Sequence, residues 1–280
     1  MINAPDFAPN RRRFLGATAS AFAALTASGC MTRGAATATA PSRPAAGAFA
    51  GYGTLVSDPA GFLDLPEGFS YRVISRLGDA MDDGGTVPDR ADGMGCFDLG
   101  TDANGNAEIA LVRNHELQPK HDAGGPIAKG FGKRNGEFVP GGTTTIVLDA
   151  ATLTVKRQFR SLGGTIRNCS GGVTPWGSWL SCEEAPTGPG QPYGDGLERD
   201  HGWVFEVPAS ARGLVDPVPL TAMGRFNHEA AAVDPATGIV YMTEDRDDGV
   251  LYRFVPKVPG KLAEGGRLQA MVIEGLPDTR

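Results

Sequence analysis

The chain has 280 residues, 41% of them hydrophobic and 21% charged, which are the proportions of a globular protein able to bury a core. Its formal net charge of −6 argues against a general nucleic-acid binder, which carries a basic footprint, and suits cation binding. Forty Gly and 21 Pro are scattered between short apolar runs, so many short strands joined by turns are expected rather than long helices.

In chain order, the first feature is Arg11 and Arg12 ahead of Phe14 and Leu15, followed by a short Ala-rich stretch. This is the pattern of a twin-arginine export signal, and its apolar run is shorter than the about 20 residues a spanning helix needs. Residues 1–45 therefore read as signal and disordered linker, with the twin-arginine export machinery as partner and a periplasmic or extracellular destination. "TASGC" offers Cys30 as a lipid-anchor site, although Ala27 stands where Leu is usual; cleavage near "AATATA" would instead remove Cys30. Apart from Cys30 there are Cys96, Cys169 and Cys182, an odd number for an oxidising compartment. Cys169 and Cys182 lie near enough in sequence to pair across neighbouring strands, their spacing fits no zinc motif, and burial as free thiols is the plainer reading.

The folded part is expected over residues 46–280. A strand is predicted around Tyr71, Val73 and Ile74, and a hairpin around Asn104-Gly105 before the apolar run Ile109–Val112. Further strands are predicted at 143–149, 154–161, 178–183, 203–207, 239–244, 250–255 and 268–273. No segment after residue 45 keeps a helical period, so the fold class is all-β.

The chain also repeats itself. "NCSGGVTPWGSWLSCEE" lies over "NHEAAAVDPATGIVYMTED" with Val173 matching Val233 and Pro175 matching Pro235. The continuations "GWVFEVP" and "GVLYRFVP" also correspond, and "DGMGCFDLG…GNAEIALVRNHE…GGTTTIVLD" is a looser third copy. Repeats of about 60 residues built from several short strands predict a β-propeller, against a β-sandwich with fortuitous similarity. In a propeller, equivalent positions of successive blades face one axis. Glu116, Glu184 and Glu244 (or Asp245) are such equivalents. Carboxylates gathered in one space repel unless cations neutralise them, and oxygen-rich clusters suit calcium. Taken singly, each acid reads as a solvated loop residue; the repeated register is what makes the cluster meaningful.

Asn114-His115-Glu116 and Asn227-His228-Glu229 form two similar triplets. His115 and His228 are either metal ligands, acid–base groups, or plain hydrogen-bonding residues. Trp176 and Trp179 read as core or inter-blade packing. There is no Gly-x-Ser-x-Gly elbow, Walker loop or Rossmann fingerprint, and "GGTTT" opens a strand rather than a helix.

With these motifs, "RNHE", "GGTTTIVLD", the Cys-x-Gly-Gly-x-Thr-Pro-Trp-Gly-x-Trp-Leu-x-Cys-Glu-Glu run and "NHEAAAVDPATGIVYMTEDRDDGVLYRF", the chain resembles the PhoX family of bacterial alkaline phosphatases over about residues 50–280. The resemblance implies a β-propeller holding calcium and iron, exported by the twin-arginine route, that hydrolyses small phosphate monoesters. Carried over by motif, it implies Asn114 as a phosphate contact, Glu183 or Glu184 as one metal ligand, Glu229 as another, and Cys169 or Cys96 as an iron ligand. The catalytic set is then Asn114, Glu184 and Glu229, and the metal set Glu116, Cys169, Glu183, Glu184, Glu229, Glu244 and Asp245. Two departures stand out. The family's larger members carry Arg-Pro-Glu where this chain has Asn227-His228-Glu229, so a phosphate-binding Arg is expected to be missing. About four blades are expected before Arg280, an incomplete ring. A calcium-dependent propeller lactonase with a His base, or a non-catalytic exported propeller, are the alternatives.

Overall fold

In a computed structural model of the chain, residues 51–276 and 278 are described. The twin-arginine pattern, the linker and Cys30 lie outside these residues. The described residues fall into two units divided after Tyr71. The first holds a short antiparallel pair, β1 (Leu55–Val56) and β2 (Leu65–Pro66). Its turn closes on Asp58, whose carboxylate accepts the Tyr71 hydroxyl and the amides of Ala60, Phe62 and Leu63. Those donors, Tyr71 first, hold the Asp58 carboxyl well below the usual range.

The second unit, from Arg72 onward, is three successive antiparallel sheets. The first pairs β3 (Ala91–Thr101), β4 (Ala107–His115), β7 (Gly141–Asp149) and β8 (Val155–Thr165) in that order. A small ribbon, β5 (Lys133–Arg134) with β6 (Glu137–Phe138), sits within its long connection. The second sheet is β9 (Asn168–Val173), β10 (Ser178–Glu183) and β11 (Val204–Pro208). The third is β12 (His228–Val233), β13 (Val240–Glu244), β14 (Tyr252–Pro256) and β15 (Gly266–Ala270). The only helical turns among the described residues are two of 3-10 type, Thr221–Met223 and Leu262–Glu264. No helix among them is long and apolar enough to cross a membrane.

Each sheet is a meander in which sequential strands pair, and the sheets stack face to face as consecutive propeller-like blades. None closes on itself. The middle blade is buried on both faces, as the period-2 alternation of its strands requires. Trp179, Phe205 and Val207 face Phe97, Ala110, Val112 and Leu162 of the first blade. Leu180, Cys182 and Val204 face Val240, Met242 and Phe254 of the third. The first strands of the three blades, β3, β9 and β12, run side by side. Glycine makes that approach feasible: a Cβ on Gly172 would run into the Ala231 carbonyl, and one on Gly93 into the Ser170 backbone.

The all-β, propeller-like expectation stands, with three blades described rather than about four. The strand predicted at Tyr71–Ile74 is absent. β-propensity there finds no partner ladder. The segment is instead tied to the first blade by side chains, Arg72 to the carbonyls of Thr152 and Leu153, and Ser75 to Arg113 and Gln158. The Asn104-Gly105 hairpin forms, but its loop spans 102–106 because Asp102 accepts the Asn104 and Asn106 amides and pairs with Asn106 through its own N–H. Cys96, Cys169 and Cys182 are all free thiols. Trp179 and Trp176 pack as expected, in the two inter-blade cores.

Candidate metal centre

The three blades share one local irregularity. Ala91 pairs with His115 and Met94 with Arg113, so Asp92 and Gly93 together oppose the single residue Asn114. Asn168 pairs with Glu183 and Gly171 with Ser181, so Cys169 and Ser170 oppose Cys182. His228 pairs with Glu244 and Ala231 with Met242, so Glu229 and Ala230 oppose Thr243. The same β-bulge therefore recurs at the start of β3, β9 and β12. A bulge twists its strand and re-aims a side chain, which is why bulges collect next to functional sites. Here the re-aimed residues are Asp92, Cys169 and Glu229.

A second set comes from the ends of β4, β10 and β13. Glu116, Glu184 and Asp245 each donate a backbone N–H to the residue preceding the bulged strand: to Arg90 O at 2.9 Å, Arg167 O at 3.0 Å and Asn227 O at 3.1 Å. These three positions are structural equivalents. The register thus selects Asp245, not Glu244, as the partner of Glu184 and Glu116. Glu244 corresponds to Glu183 and His115, one residue earlier and on the opposite side of the strand.

The two sets converge. Ligand atoms of Cys169, Glu184 and Glu229 all lie within 4.8 Å of one another. Burial pushes the Glu184 carboxyl up to about 7; Arg167 opposes that shift, while Glu116, Glu229 and Asp245 add to it. Burial also raises Glu229, against the hydrogen bond from Cys169, with Asp245, Asp92 and Glu116 reinforcing. Asp92 is raised by burial and by Glu116. The Cys169 thiol, donating to His228 O at 3.2 Å, is driven above its ordinary range by burial, then by Cys182 and Glu229. Cys169, Glu184 and Glu229 share one space, and Asp92, Glu116 and Asp245 are near enough for their charges to act on it. Burial first, and like charge second, favours the protonated form of Asp92, Cys169, Glu184 and Glu229. Partial compensation comes from Arg167, whose Nη2 lies 2.6 Å from Glu184 Oε2 and 3.0 Å from Glu116 Oε1.

The remaining sequence-selected residues are engaged elsewhere. Glu183 is fully buried, and its carboxylate takes donors from Ile166 N, His201 Nδ1, Gly202 N and Trp203 N at 2.7–3.1 Å. It pins the loop entering β11. Glu244 does the equivalent for β14, accepting Val250 N and the Tyr252 hydroxyl. Asn114 is a buried brace between the first two blades: its amide nitrogen donates to Ser170 O, and its oxygen accepts Trp179 Nε1 and Ser181 Oγ. His115 contacts Asp89 O and Thr144 Oγ1, and His228 contacts Gly224 O. The plain hydrogen-bonding reading fits His115, whose two ring nitrogens are both engaged. His228 is engaged at Nε2 only, and its buried Nδ1 has no hydrogen-bond partner among the described residues. Cys96 lies on the exposed side of β3, so Cys169 is the thiol that joins the cluster.

Asp92 and Arg167 were not singled out from sequence. Asp92 begins the looser third repeat, where its correspondence to Cys169 and Glu229 is hidden by the change of residue type. Arg167 precedes its repeat, outside the matched run.

The sequence match of the family described as Alkaline phosphatase PhoX covers residues 50–155 and 148–278, and so includes every residue of this cluster. No curated protein and no solved structure matches the chain. With the family match spanning all three blades, the chain belongs to the PhoX family of alkaline phosphatases.

Proposed function

We propose that the protein is a metal-dependent phosphatase that hydrolyses phosphate monoesters outside the cytoplasm. The observation that supports this most is the cluster of Cys169, Glu184 and Glu229, with Asp92, Glu116 and Asp245 around it. The donor set fits cations. A thiolate beside carboxylates suits a transition metal such as iron, and the surrounding all-oxygen positions suit calcium. Bound there, cations supply Lewis-acid polarisation of phosphate oxygens and offset the charge of the transferring phosphoryl group.

The protein's own residues set the conditions for that chemistry. Cys169, Glu184 and Glu229 would hold the cation after releasing their protons. The three bulges fix where their side chains point. Asn114, through Ser170 O, Trp179 and Ser181, locks the bulged start of β9 against β10. Arg167 sits at the edge of the cluster, its side chain 31% exposed, where it would meet an incoming substrate anion. A lactonase would need a His base in this space, and both candidate histidines are buried away from solvent, His115 bonded at both ring nitrogens and His228 at Nε2. The Arg11-Arg12 export pattern supports the location outside the cytoplasm, with twin-arginine machinery as the route.

The test is p-nitrophenyl phosphate turnover combined with metal analysis of the exported protein, for wild type, Glu184→Gln and Glu229→Gln. The proposal expects bound iron and calcium in wild type, and loss of both metal and turnover in the variants. Full turnover by either variant after exhaustive chelation would rule the proposal out.

A further inference from the structure

Arg167 makes four contacts to two acids of the cluster. Nε and Nη2 both reach Glu116 Oε1 at 3.0 Å, Nη2 reaches Glu184 Oε2 at 2.6 Å, and Nη1 reaches the Glu184 carbonyl at 3.2 Å. Its backbone is in the left-handed region, with φ 48°. Arg90, at the equivalent position of the first blade, shares this conformation with φ 53°. A non-glycine residue there carries strain that the surrounding fold must hold, and such strain gathers at functional sites. Of the two, only Arg167 turns its side chain onto the acid at its own strand end; Arg90 lies 4.0 Å from Asp89 instead.

A guanidinium and a metal ion cannot both take Glu184 fully. Each is a cation seeking the same carboxylate, and the pair is partly desolvated, so the competition is not screened away. A cation on Glu184 would displace the guanidinium's shortest contact, the 2.6 Å one, and leave it at the partly exposed edge of the site. A planar guanidinium in that place matches two oxygens of a phosphate group.

We infer that Arg167 is the substrate-binding arginine of this site. It neutralises Glu184 and Glu116 while the cation is away, and exchanges Glu184 for the phosphoryl oxygens once the cation is bound. The inference rests on the metal-dependent phosphatase reading above.

The experiment is calorimetric titration of the full chain, metal-stripped, first with calcium or ferrous iron and then, after loading, with inorganic phosphate. Wild type, Arg167→Gln and Arg167→Lys are compared, with melting curves for each. Arg167→Gln should bind the cation severalfold more tightly, because a competitor is gone, and bind phosphate about tenfold or more weakly. Arg167→Lys should recover part of the phosphate affinity, a point charge replacing a fork. Phosphate binding by Arg167→Gln equal to wild type would overturn the inference. So would an Arg167→Gln protein that loses cation affinity and melts early, which is the behaviour of a structural brace. Wild type that takes up no cation would instead overturn the phosphatase reading, and this inference with it, before any variant is compared.

Discussion

Glu183 and Glu184 are consecutive residues with opposite duties. The Glu183 carboxylate is closed off from solvent by three backbone N–H groups and His201, whereas the Glu184 carboxylate stands beside Cys169, Glu229 and Arg167. The alternation of a strand end explains the difference, since successive side chains leave on opposite sides. Removing Glu183 strands buried donors, so Glu183→Ala should cost about 3–5 kcal/mol of stability. Glu184→Gln should stay within about 1 kcal/mol of wild type in the metal-free protein. Urea unfolding of both variants checks the contrast, and equal losses would contradict it.

Cation binding should be coupled to a proton. The Glu184 carboxyl in the metal-free protein titrates at about 7, raised from 4.5 chiefly by burial. A raised carboxyl pKa means the folded state holds its proton more tightly than the unfolded chain does. Its contribution to folding is therefore present below pH 4.5 and lost as pH rises through 7. The cation needs the carboxylate, so affinity should weaken as pH falls below 7. It should keep rising above 7, because the Cys169 thiol, held above its ordinary range by burial, must also give up a proton. Titrations near pH 6.5 in buffers of different ionisation enthalpy should show proton release; none would contradict the coupling.

Acid should unfold the protein partly through its buried histidines. His115 is pushed down to about 3, mainly by burial with Arg113 adding, and His228 to about 4 by burial. The unfolded chain takes up these protons near pH 6.5, so the stability they contribute is complete above that pH and lost as pH falls toward 3–4. His228→Gln should make unfolding free energy less steep between pH 6 and 4, measured by denaturant titration at each pH. An unchanged slope would contradict the assignment.

Close packing of the first strands gives a steric prediction. Gly172→Ala places a methyl against the Ala231 carbonyl and should cost about 1–3 kcal/mol. Gly213, with open space around the position of a Cβ, is the control: Gly213→Ala should change stability by no more than about 0.5 kcal/mol. Thermal melts of both proteins compare them directly.

Much of this was legible in the sequence because each blade repeats its strands. Val173 and Val233 do end the first strands of their blades, and the three acid-ended strands are β4, β10 and β13. The choice between Glu244 and Asp245 was not legible. The turn before β10 leaves five residues between the paired Val173 and Trp179, whereas the turn before β13 leaves six between Val233 and Val240. That one residue shifts the second strand by a position and exchanges the duties of neighbouring acids. The bulges were equally hidden, because an unpaired residue has no side-chain signature. Asp92, Cys169 and Glu229 share a place in space but no residue type. Glu183 looked like a ligand from its motif, and only the donors around it reveal a structural role.

The central claim is that Cys169, Glu184 and Glu229, brought together by bulges and strand ends, hold a cation. Anomalous scattering from crystals of the exported, metal-replete protein tests it most directly. The account predicts a peak bonded to the Cys169 sulfur and to oxygens of Glu184 and Glu229, with Arg167 withdrawn from Glu184. A metal-replete crystal with no peak there, and Arg167 still clamped on Glu184, would contradict it.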